Sequence, residues 1–294
     1  MNKVELVSYA KVNFTLEVSD RRPDGYHEID SIVQTIDITD DLVMTKAEPG
    51  VITVTCDIDG VPEGPGNIIY RACEEFFNRA GLHAGVECML RKRIPMQAGL
   101  GGGSGNAAAA VAGLNRLYDC GLSAKELADI AAAAGSDAPL FIYGGTVRMR
   151  GRGEIIDPLP DVLQMYLVVI KPDVGVSTAW AYGELDKSSS GRCESVSQRA
   201  EDAVRDSDRD SLIASMCNDF DPVVSAAFDE VRLAKSRLME AGAQRAMLSG
   251  SGSAVFGVFG THEMAQQATL SLMGEFAQVF LTCTVCRDKS SLIG

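Results

Sequence analysis

Apolar and polar side chains alternate near the start of the chain, which is the pattern of a half-buried strand. Between residues 11 and 18 the even positions are apolar and the odd positions are polar. Lys11 and Asn13 should therefore point the same way. Further strands are predicted near 29–45, 51–57 and 85–94.

Helices are predicted where apolar residues recur every three or four positions between capping signals. They cover 68–80, closed by Gly81, then the Ala-rich segment 107–118, and then 124–134 behind Ser123 as N-cap. A break at 135–139 leads into strands expected around 140–149 and 154–157.

From Pro158 a second series of strands and helices is predicted. The predicted elements are a strand near 165–171, a helix from Ser177, a polar surface stretch over 187–210 that includes a solvated helix, a helix near 228–238 ended by Gly242, strands near 245–249 and 253–259, a helix over 262–274 and a strand over 277–286. Strand–helix–strand–strand–helix–strand is the order of an α+β split sandwich. Two domains are therefore predicted, 1–157 and 158–294.

Composition narrows the choice of partners. The chain has 294 residues, a net charge of −13 and 46% apolar residues. This acidic balance disfavours nucleic acid, because affinity for nucleic acid comes largely from Lys and Arg. No apolar run approaches the roughly 18 residues of a membrane span, and no signal-peptide pattern is visible. We expect a cytoplasmic protein, monomer or homodimer, with a small-molecule substrate and neither nucleic acid nor membrane as partner.

Eight cysteines and three histidines are scattered along the chain. In a cytoplasm the cysteines are expected to be reduced. Cys283 and Cys286 match C-x-x-C, but they lie in an apolar segment that is typical of a strand, where a spacing of three points the two thiols to opposite faces. Neither a redox motif nor a zinc site is expected.

Five glycines, at 99, 101, 102, 103 and 105, fall within seven residues directly ahead of the Ala-rich helix. Such a density costs folding entropy unless the backbone itself meets a ligand. Unpaired amides and the positive dipole end of a helix favour phosphate, although a tightly packed helix-entry loop would explain the glycines too. The lysine of a P-loop is absent, and the G-x-G-x-x-A pattern at 103–108 lacks the strand–helix–strand context of a dinucleotide fold.

A second run, Ser-Gly-Ser-Gly-Ser at 249–253, lies between two predicted strands. As a hairpin turn it needs no function. Taken together, the two runs suggest a ligand that lies between the two halves of the chain.

Three separated blocks resemble the GHMP kinases. Residues 95–108 resemble their phosphate loop, 248–256 their C-terminal glycine motif, and 10–16 with 21–28 the N-terminus of the branch that phosphorylates a cytidyl diphosphate alcohol. Shorter matches lie at 135–139, 151–154, 171–172, 177–178, 218–219 and 242–243. The resemblance implies an α+β, two-domain GHMP kinase fold with an N-terminal α/β domain like that of a ribosomal protein and a ferredoxin-like C-terminal domain. ATP and Mg²⁺ would bind between them.

The resemblance also implies an activity and roles for single residues. The expected reaction is ATP-dependent phosphorylation of the 2-hydroxyl of a methylerythritol unit carried on a cytidyl diphosphate, a step of the non-mevalonate isoprenoid pathway. Asp137 matches the base that takes the hydroxyl proton, and Lys11 matches the lysine that keeps this carboxylate ionised and balances charge on the transferred phosphoryl group.

The binding residues follow from the same resemblance. The implied ATP-binding set is Asn67, Ile68, Pro95, Ala98, Gly99, Leu100, Gly101, Gly102, Gly103, Ser104, Gly105 and Asn106. The implied substrate-binding set is Asn13, Tyr26, His27, Thr178, Tyr182, Gly250 and Ser251. Within it Tyr26 and Tyr182 would stack on the two faces of the cytosine and His27 would contact its edge. The Mg²⁺ ligands stay unassigned.

Three positions depart from the family pattern. Gly105 stands where a serine is usual, which removes a hydroxyl that could serve phosphate or metal; Gln97 replaces a glycine; and Ser136 stands where alanine is commoner. Two alternatives therefore remain. One is a GHMP kinase for another small alcohol, such as homoserine or mevalonate, and the other is a nucleotide-binding paralogue with impaired catalysis.

Overall fold

The computed structural model describes residues 1–188 and 192–293, and its strands form two sheets. In chain order the strands are β1 (Lys3–Asn13), β2 (Thr15–Arg21), β3 (His27–Ala47), β4 (Ile52–Cys56), β5 (Gly85–Arg91), β6 (Thr146–Gly151), β7 (Ile155–Pro158), β8 (Tyr166–Ile170), β9 (Cys217–Asn218), β10 (Arg245–Leu248), β11 (Val255–Phe259) and β12 (Val279–Cys283). The helices are α1 (Ile68–Ala80), α2 (Gly102–Tyr118), α3 (Ala124–Ala134), α4 (Ala138–Tyr143), α5 (Thr178–Lys187), α6 (Val196–Arg205), α7 (Arg209–Ser215), α8 (Phe220–Ala227), α9 (Asp229–Glu240), α10 (His262–Leu272) and α11 (Arg287–Ser290).

The first sheet is built around β3, which pairs antiparallel with β1, β2, β5 and β6. The strand β9 joins its edge from the second half of the chain, in parallel with β2. Helix α2 packs on β1 and β3 and against α1, α3 and α4. The functional residues of β1 therefore lie between this sheet and the start of α2.

Small residues let α2 approach the sheet closely. A side chain at Gly113 would begin 2.4 Å from the sulfur of Met44 and 2.8 Å from Leu6 Cδ1. The alanines from 107 to 110 are fully buried. The Ala and Gly content that marks this segment as a helix is thus required by its packing.

The second sheet has the antiparallel order β10-β11-β8-β12. In chain order its strands and the helices that pack on them run β8, α9, β10, β11, α10, β12, with α5 to α8 inserted between β8 and α9. Placing the first strand of the unit between the third and the fourth is the arrangement of a ferredoxin-like sandwich. The prediction of an α+β fold whose second part is ferredoxin-like is confirmed.

Two element predictions were wrong. Helix α2 begins at Gly102 rather than 107, because the contacts of its first turn outweigh the low helix propensity of glycine. The segment 140–149 was expected to be a strand, but only its second part is one, since β6 begins at Thr146. The first part belongs to the short helix α4, which begins at Ala138 with Pro139 in its first turn and ends at Gly144, whose φ is 64°. A short apolar run does not by itself distinguish a strand from a buried helix.

The polar stretch 187–210 contains α6, whose residues Val196, Ala200 and Ala203 are buried. Residues 189–191 of this stretch lie outside the described residues. Helices α7 and α8 were not predicted, since each is short and their apolar residues do not complete a periodic pattern.

The cysteines differ from expectation at two places. Cys193 and Cys217 form a disulfide with Cα atoms 6.3 Å apart, whereas all cysteines were expected to be reduced. The Asp219 carboxylate, directly after β9, accepts the amide of Cys193 at 2.6 Å and so holds Cys193 near Cys217. No local pattern reveals this long-range contact. In addition, β12 ends at Cys283, so that Cys283 and Cys286 line one cavity rather than opposite faces of a strand.

The chain passes from the first sheet to the second after Pro158, where β7 ends. It crosses back twice, because β9 pairs with β2 and the residues after β12 return to the first sheet through a bridge between Thr284 and Ile36. The division into 1–157 and 158–294 stays a prediction. Over the described part of the chain, the helices are too short or too polar to span a membrane.

Candidate active site

Lys11 lies near the end of β1 with only 3% of its surface exposed. Its ammonium donates a hydrogen bond of 2.5 Å to Asn13 Oδ1, so the two side chains do point the same way. Asn13 in turn donates to the hydroxyl of Ser31 at 2.9 Å. The backbone amide of Lys11 donates to the carbonyl of Leu100 at 2.9 Å, which ties this strand to the first glycine run.

Asp137 stands at the start of α4 and faces Lys11. Its Oδ2 lies 3.8 Å from Lys11 Nζ, and its side chain is 33% exposed. Burial lowers the pKa of Lys11, and the negative charge of Asp137 acts in the opposite direction. The Lys11 ammonium therefore lies beside the Asp137 carboxylate but too far from it for a direct hydrogen bond. Solvent or a ligand can reach this carboxylate, because the Asp137 side chain is partly exposed.

The first glycine run forms the entry to α2. Gly99 and Gly101 have φ of 73° and 72°, which are left-handed values that favour glycine. A side chain on Gly101 would begin 2.7 Å from the ring of Phe141 and 3.0 Å from Lys11 Cγ. The loop is thus held against the lysine, and the first amides of α2 have no partner within the helix.

The second glycine run packs on the first. The hydroxyl of Ser249 donates to the Gly99 carbonyl at 3.0 Å, and a Cβ on Gly99 would lie 2.0 Å from the Ser249 carbonyl oxygen. A Cβ on Gly250 would lie 3.2 Å from Lys11 Nζ. Asn218 holds the second run by donating to the carbonyls of Leu248 and Gly250 at 2.9 and 2.8 Å. Both glycine runs and the Lys11–Asp137 pair therefore converge.

A cavity of about 350 Å³ opens beside the first glycine run. Every residue of the implied ATP set except Gly105 lines it. Its wall also contains residues outside that set: Val61, Pro62, Ile69, Leu90, Lys92, Met96 and Gln97. Apolar side chains on one side and backbone amides on the other suit a planar base joined to phosphates.

Lys92 is the charged residue among those that were missed. Its ammonium donates to Asp40 Oδ2 at 2.7 Å, and a Cβ on Gly102 would lie 3.0 Å from Nζ. Asp40 is fully buried and also accepts the amides of Arg93 and Ile94. The basic triplet 91–93, which only Ile94 separates from Pro95, was the available signal in the sequence.

Two observations bear on ATP and Mg²⁺. Asn106, in the first turns of α2, is 2% exposed, lines the cavity and has an Oδ1 without a hydrogen-bond partner. Such an orphaned acceptor fits a ligand that brings hydrogen-bond donors or a cation. The described residues contain no cluster of three or more metal-binding side chains.

The structure brings some of the implied substrate residues into contact in pairs. The hydroxyls of Thr178 and Ser251 are 2.8 Å apart. His27 and Tyr182 stack on each other with ring centroids 4.7 Å apart and an angle of 20° between the planes. Burial, and to a smaller extent the charge of Asp137, raise the pKa of Tyr182 to about 12. The aromatic pair is thus close to the candidate base.

The stacked pair leaves no space for a base between its two rings. Tyr182 also receives the edge of Phe220 at 4.9 Å, and His27 Nε2 lies 2.8 Å from Asp186 Oδ1. Tyr26 is 57% exposed, with the guanidinium of Arg152 4.9 Å from its ring centroid. The stacking roles expected for Tyr26 and Tyr182 stay a proposal.

The chain matches two family descriptions, the GHMP kinases N terminal domain over residues 67–145 and the GHMP kinases C terminal domain over 200–277. It is 40% identical to a 4-diphosphocytidyl-2-C-methyl-D-erythritol kinase of Moorella thermoacetica, over 97% of this chain and 100% of the relative. A crystal structure of a 4-(cytidine 5'-diphospho)-2C-methyl-D-erythritol kinase superposes with a TM-score of 0.81 at 30% identity, over 96% of this chain and 99% of that one.

A homoserine kinase of Cytophaga hutchinsonii superposes with a TM-score of 0.80, over 99% of this chain and 96% of that one. At 20% identity it shares the fold alone. Identity is higher with the cytidyl-alcohol kinases, and it extends over nearly the whole of both chains. This chain therefore belongs to the 4-diphosphocytidyl-2-C-methyl-D-erythritol kinases of the GHMP kinase family.

Proposed function

We propose that this kinase transfers the γ-phosphoryl group of ATP to the 2-hydroxyl of 4-diphosphocytidyl-2-C-methyl-D-erythritol, with Asp137 as the base. The observation that carries the proposal is the position of Lys11, which faces Asp137 at 3.8 Å and lies against Gly101 and Gly250 of the two glycine runs. The first of these runs lines the cavity. Phosphoryl transfer depends mainly on positioning and charge neutralisation, and these groups supply both.

In the proposed step the Asp137 carboxylate takes the proton of the 2-hydroxyl as its oxygen attacks the γ-phosphorus. The new P–O bond forms while the bond between the γ-phosphorus and the bridging oxygen of ADP breaks, so that the electron pair leaves with ADP. The buried ammonium of Lys11 stabilises the negative charge on the transferred group and faces the carboxylate of Asp137 at 3.8 Å. Amides at the start of α2 hold the phosphates, and Asn67 and Ile68 lie where the base would bind.

Ser104 and Asn106 are the residues that would hold Mg²⁺, because both line the cavity with oxygen atoms and Asn106 Oδ1 lacks a partner. When bound, Mg²⁺ would neutralise charge on the phosphates. All these groups come from one chain, so either a monomer or a homodimer could carry the site. The cytoplasm is the compartment that we propose, since ATP and a cytidyl diphosphate are the substrates.

Asp137→Asn tests the role of the base. The substitution removes the proton acceptor and keeps the shape, so turnover should fall by about 10²- to 10⁴-fold while ATP affinity stays within about threefold. Asp129→Asn is a matched control, because Asp129 is an exposed carboxylate that pairs with Lys125 on α3. Near-normal turnover of Asp137→Asn would exclude Asp137 as the base.

A substrate panel separates the alternatives. ADP release would be followed with Mg-ATP and the diphosphocytidyl alcohol, homoserine or mevalonate. Turnover of the first alone supports the proposal, and turnover of another alcohol alone would assign a different substrate. ATP binding without turnover of any alcohol would indicate an impaired paralogue.

A further inference from the structure

We infer that Asp186 is a positioning residue that makes His27 selective for cytosine over uracil, an inference that rests on the proposed cytidyl substrate. Asp186 lies near the end of α5, and its Oδ1 is 2.8 Å from His27 Nε2. None of the sequence patterns assigned it a role. Its effect would pass through the imidazole rather than through contact with the substrate.

The imidazole is held on its face as well as at Nε2. The His27 side chain is only 6% exposed and stacks on Tyr182 at 4.7 Å. Tyr182 is itself fixed by the edge of Phe220. The stacking sets the plane of the imidazole, and the hydrogen bond to Asp186 sets its rotation within that plane. The opposite edge of the ring, which carries Nδ1, is therefore placed by two independent contacts.

The contact with Asp186 also decides which nitrogen carries the proton. An ionised carboxylate can only accept hydrogen bonds, so Nε2 must be the donor. In a neutral imidazole Nδ1 is then an acceptor, because the hydrogen bond at one ring nitrogen fixes the tautomer. Asp186 thus gives the free edge of His27 a defined hydrogen-bonding character.

Cytosine and uracil differ at the position that such an edge can distinguish. Cytosine presents an amino group, which is a donor, where a uracil or thymine ring presents a carbonyl oxygen. An Nδ1 acceptor would pair with the cytosine amino group, whereas it would face the lone pairs of the uracil oxygen. Leaving two acceptors opposed and unpaired in a desolvated site costs binding.

Glu184 provides a matched control on the same helix. It is paired with Lys187 at 2.8 Å and its side chain is 36% exposed, close to the 35% of Asp186. Glu184→Gln and Asp186→Asn are therefore equivalent changes of charge and size at neighbouring, equally exposed positions.

The test measures the binding of CDP and UDP to the wild-type protein, Asp186→Asn and Glu184→Gln by NMR titration or calorimetry. The wild type and Glu184→Gln should prefer CDP by roughly 10- to 100-fold, the value of one well-formed base contact. Asp186→Asn should lower this ratio about tenfold or more, because an amide can donate as well as accept and so permits either tautomer. An unchanged ratio in Asp186→Asn would overturn the inference.

A second measurement stands even if Asp186→Asn fails to fold. With only three histidines in the chain, ¹⁵N NMR of the wild-type protein can assign the His27 tautomer. A neutral ring protonated at Nε2 supports the inference, and a ring protonated at Nδ1, alone or together with Nε2, overturns it.

The two proposals can fail separately. Preference for CDP without turnover of the cytidyl alcohol would refute the proposed function and leave the role of Asp186 intact. Turnover of the cytidyl alcohol by a wild type that binds CDP and UDP equally would refute the role of Asp186 alone.

Discussion

Gly99 is the point at which the two glycine runs touch, so Gly99→Ala should disturb both stability and turnover. The new Cβ would lie 2.0 Å from the Ser249 carbonyl oxygen and 3.1 Å from the Gly252 nitrogen. These neighbours are backbone atoms, so no side-chain rotation can relieve the overlap. One run must move by more than about 1 Å to restore an ordinary contact of about 3.5 Å.

The expected loss of stability has three parts. Placing alanine at φ 73° costs about 1–2 kcal/mol. Forcing the two runs apart costs about 1–3 kcal/mol, as overpacking does elsewhere. Alanine lowers the conformational entropy of the unfolded chain, which offsets about 0.4–1 kcal/mol of the lost stability. The net loss is therefore about 1–4.6 kcal/mol in the free energy of unfolding.

Turnover should fall more than ATP affinity does. Gly250 lies against Lys11, so a displaced second run would shift the ammonium relative to Asp137. A misplacement of about 1 Å at a reacting centre can cost about 10²-fold in rate. We expect kcat to fall by about that factor.

Gly121→Ala is the control for backbone strain. Gly121 has φ 67°, but a Cβ there meets nothing within 4 Å, and the loop is outside the site. The Gly121→Ala variant should lose about 1 kcal/mol in the free energy of unfolding and keep the wild-type kcat. Urea unfolding and steady-state kinetics of both variants check the difference. The reasoning would be refuted if Gly99→Ala matched Gly121→Ala in stability and kept wild-type turnover.

Lys11→Met should lower kcat by about 10²- to 10³-fold in steady-state kinetics, because it removes the buried ammonium group that faces Asp137. Since burial lowers the pKa of Lys11, the ammonium is lost at a lower pH than on a surface lysine; kcat should fall as pH rises through this lowered pKa, and a pH–rate profile without an alkaline limb would contradict this. Gln97→Gly should stabilise the protein by about 0.5–1 kcal/mol in urea unfolding, because Gln97 has φ 52°, and no gain would mean that its side chain contributes more than the strain costs. Thiol titration of the denatured, unreduced protein should find six free thiols and, after reduction, eight, as expected from the Cys193–Cys217 disulfide; eight without reductant would show that the bond is absent.

Local patterns predicted the elements whose ends carry their own signals. Ser123 forms the capping box of α3 with Glu126, and Gly81 ends α1 in the left-handed conformation. Alternation in β1 also placed Lys11 and Asn13 on one side, where they form a hydrogen bond. These predictions succeed because the determining contacts lie within a few residues.

Pairings between distant segments were not predictable in this way. The contact of Lys92 with Asp40 joins residues 52 positions apart, and that of His27 with Asp186 spans 159. Both depend on strand order and on the packing of α5. A basic residue before Pro95 or an acidic residue near a helix end carries no information about which partner the fold will supply.

Gly105 shows how the fold changes the meaning of a departure from a family pattern. The loss of a serine at this position suggested a missing ligand for phosphate or metal. The cavity is lined by Ser104 and Asn106, whereas a Cβ on Gly105 would point the other way, 2.6 Å from the hydroxyl of Ser8 and 3.0 Å from the carbonyl oxygen of Tyr9. The glycine is thus explained by packing against β1, since any larger residue would collide with Ser8. Ser104, which this chain retains, is the serine that lines the cavity, so the departure at Gly105 gives little support to an impaired paralogue.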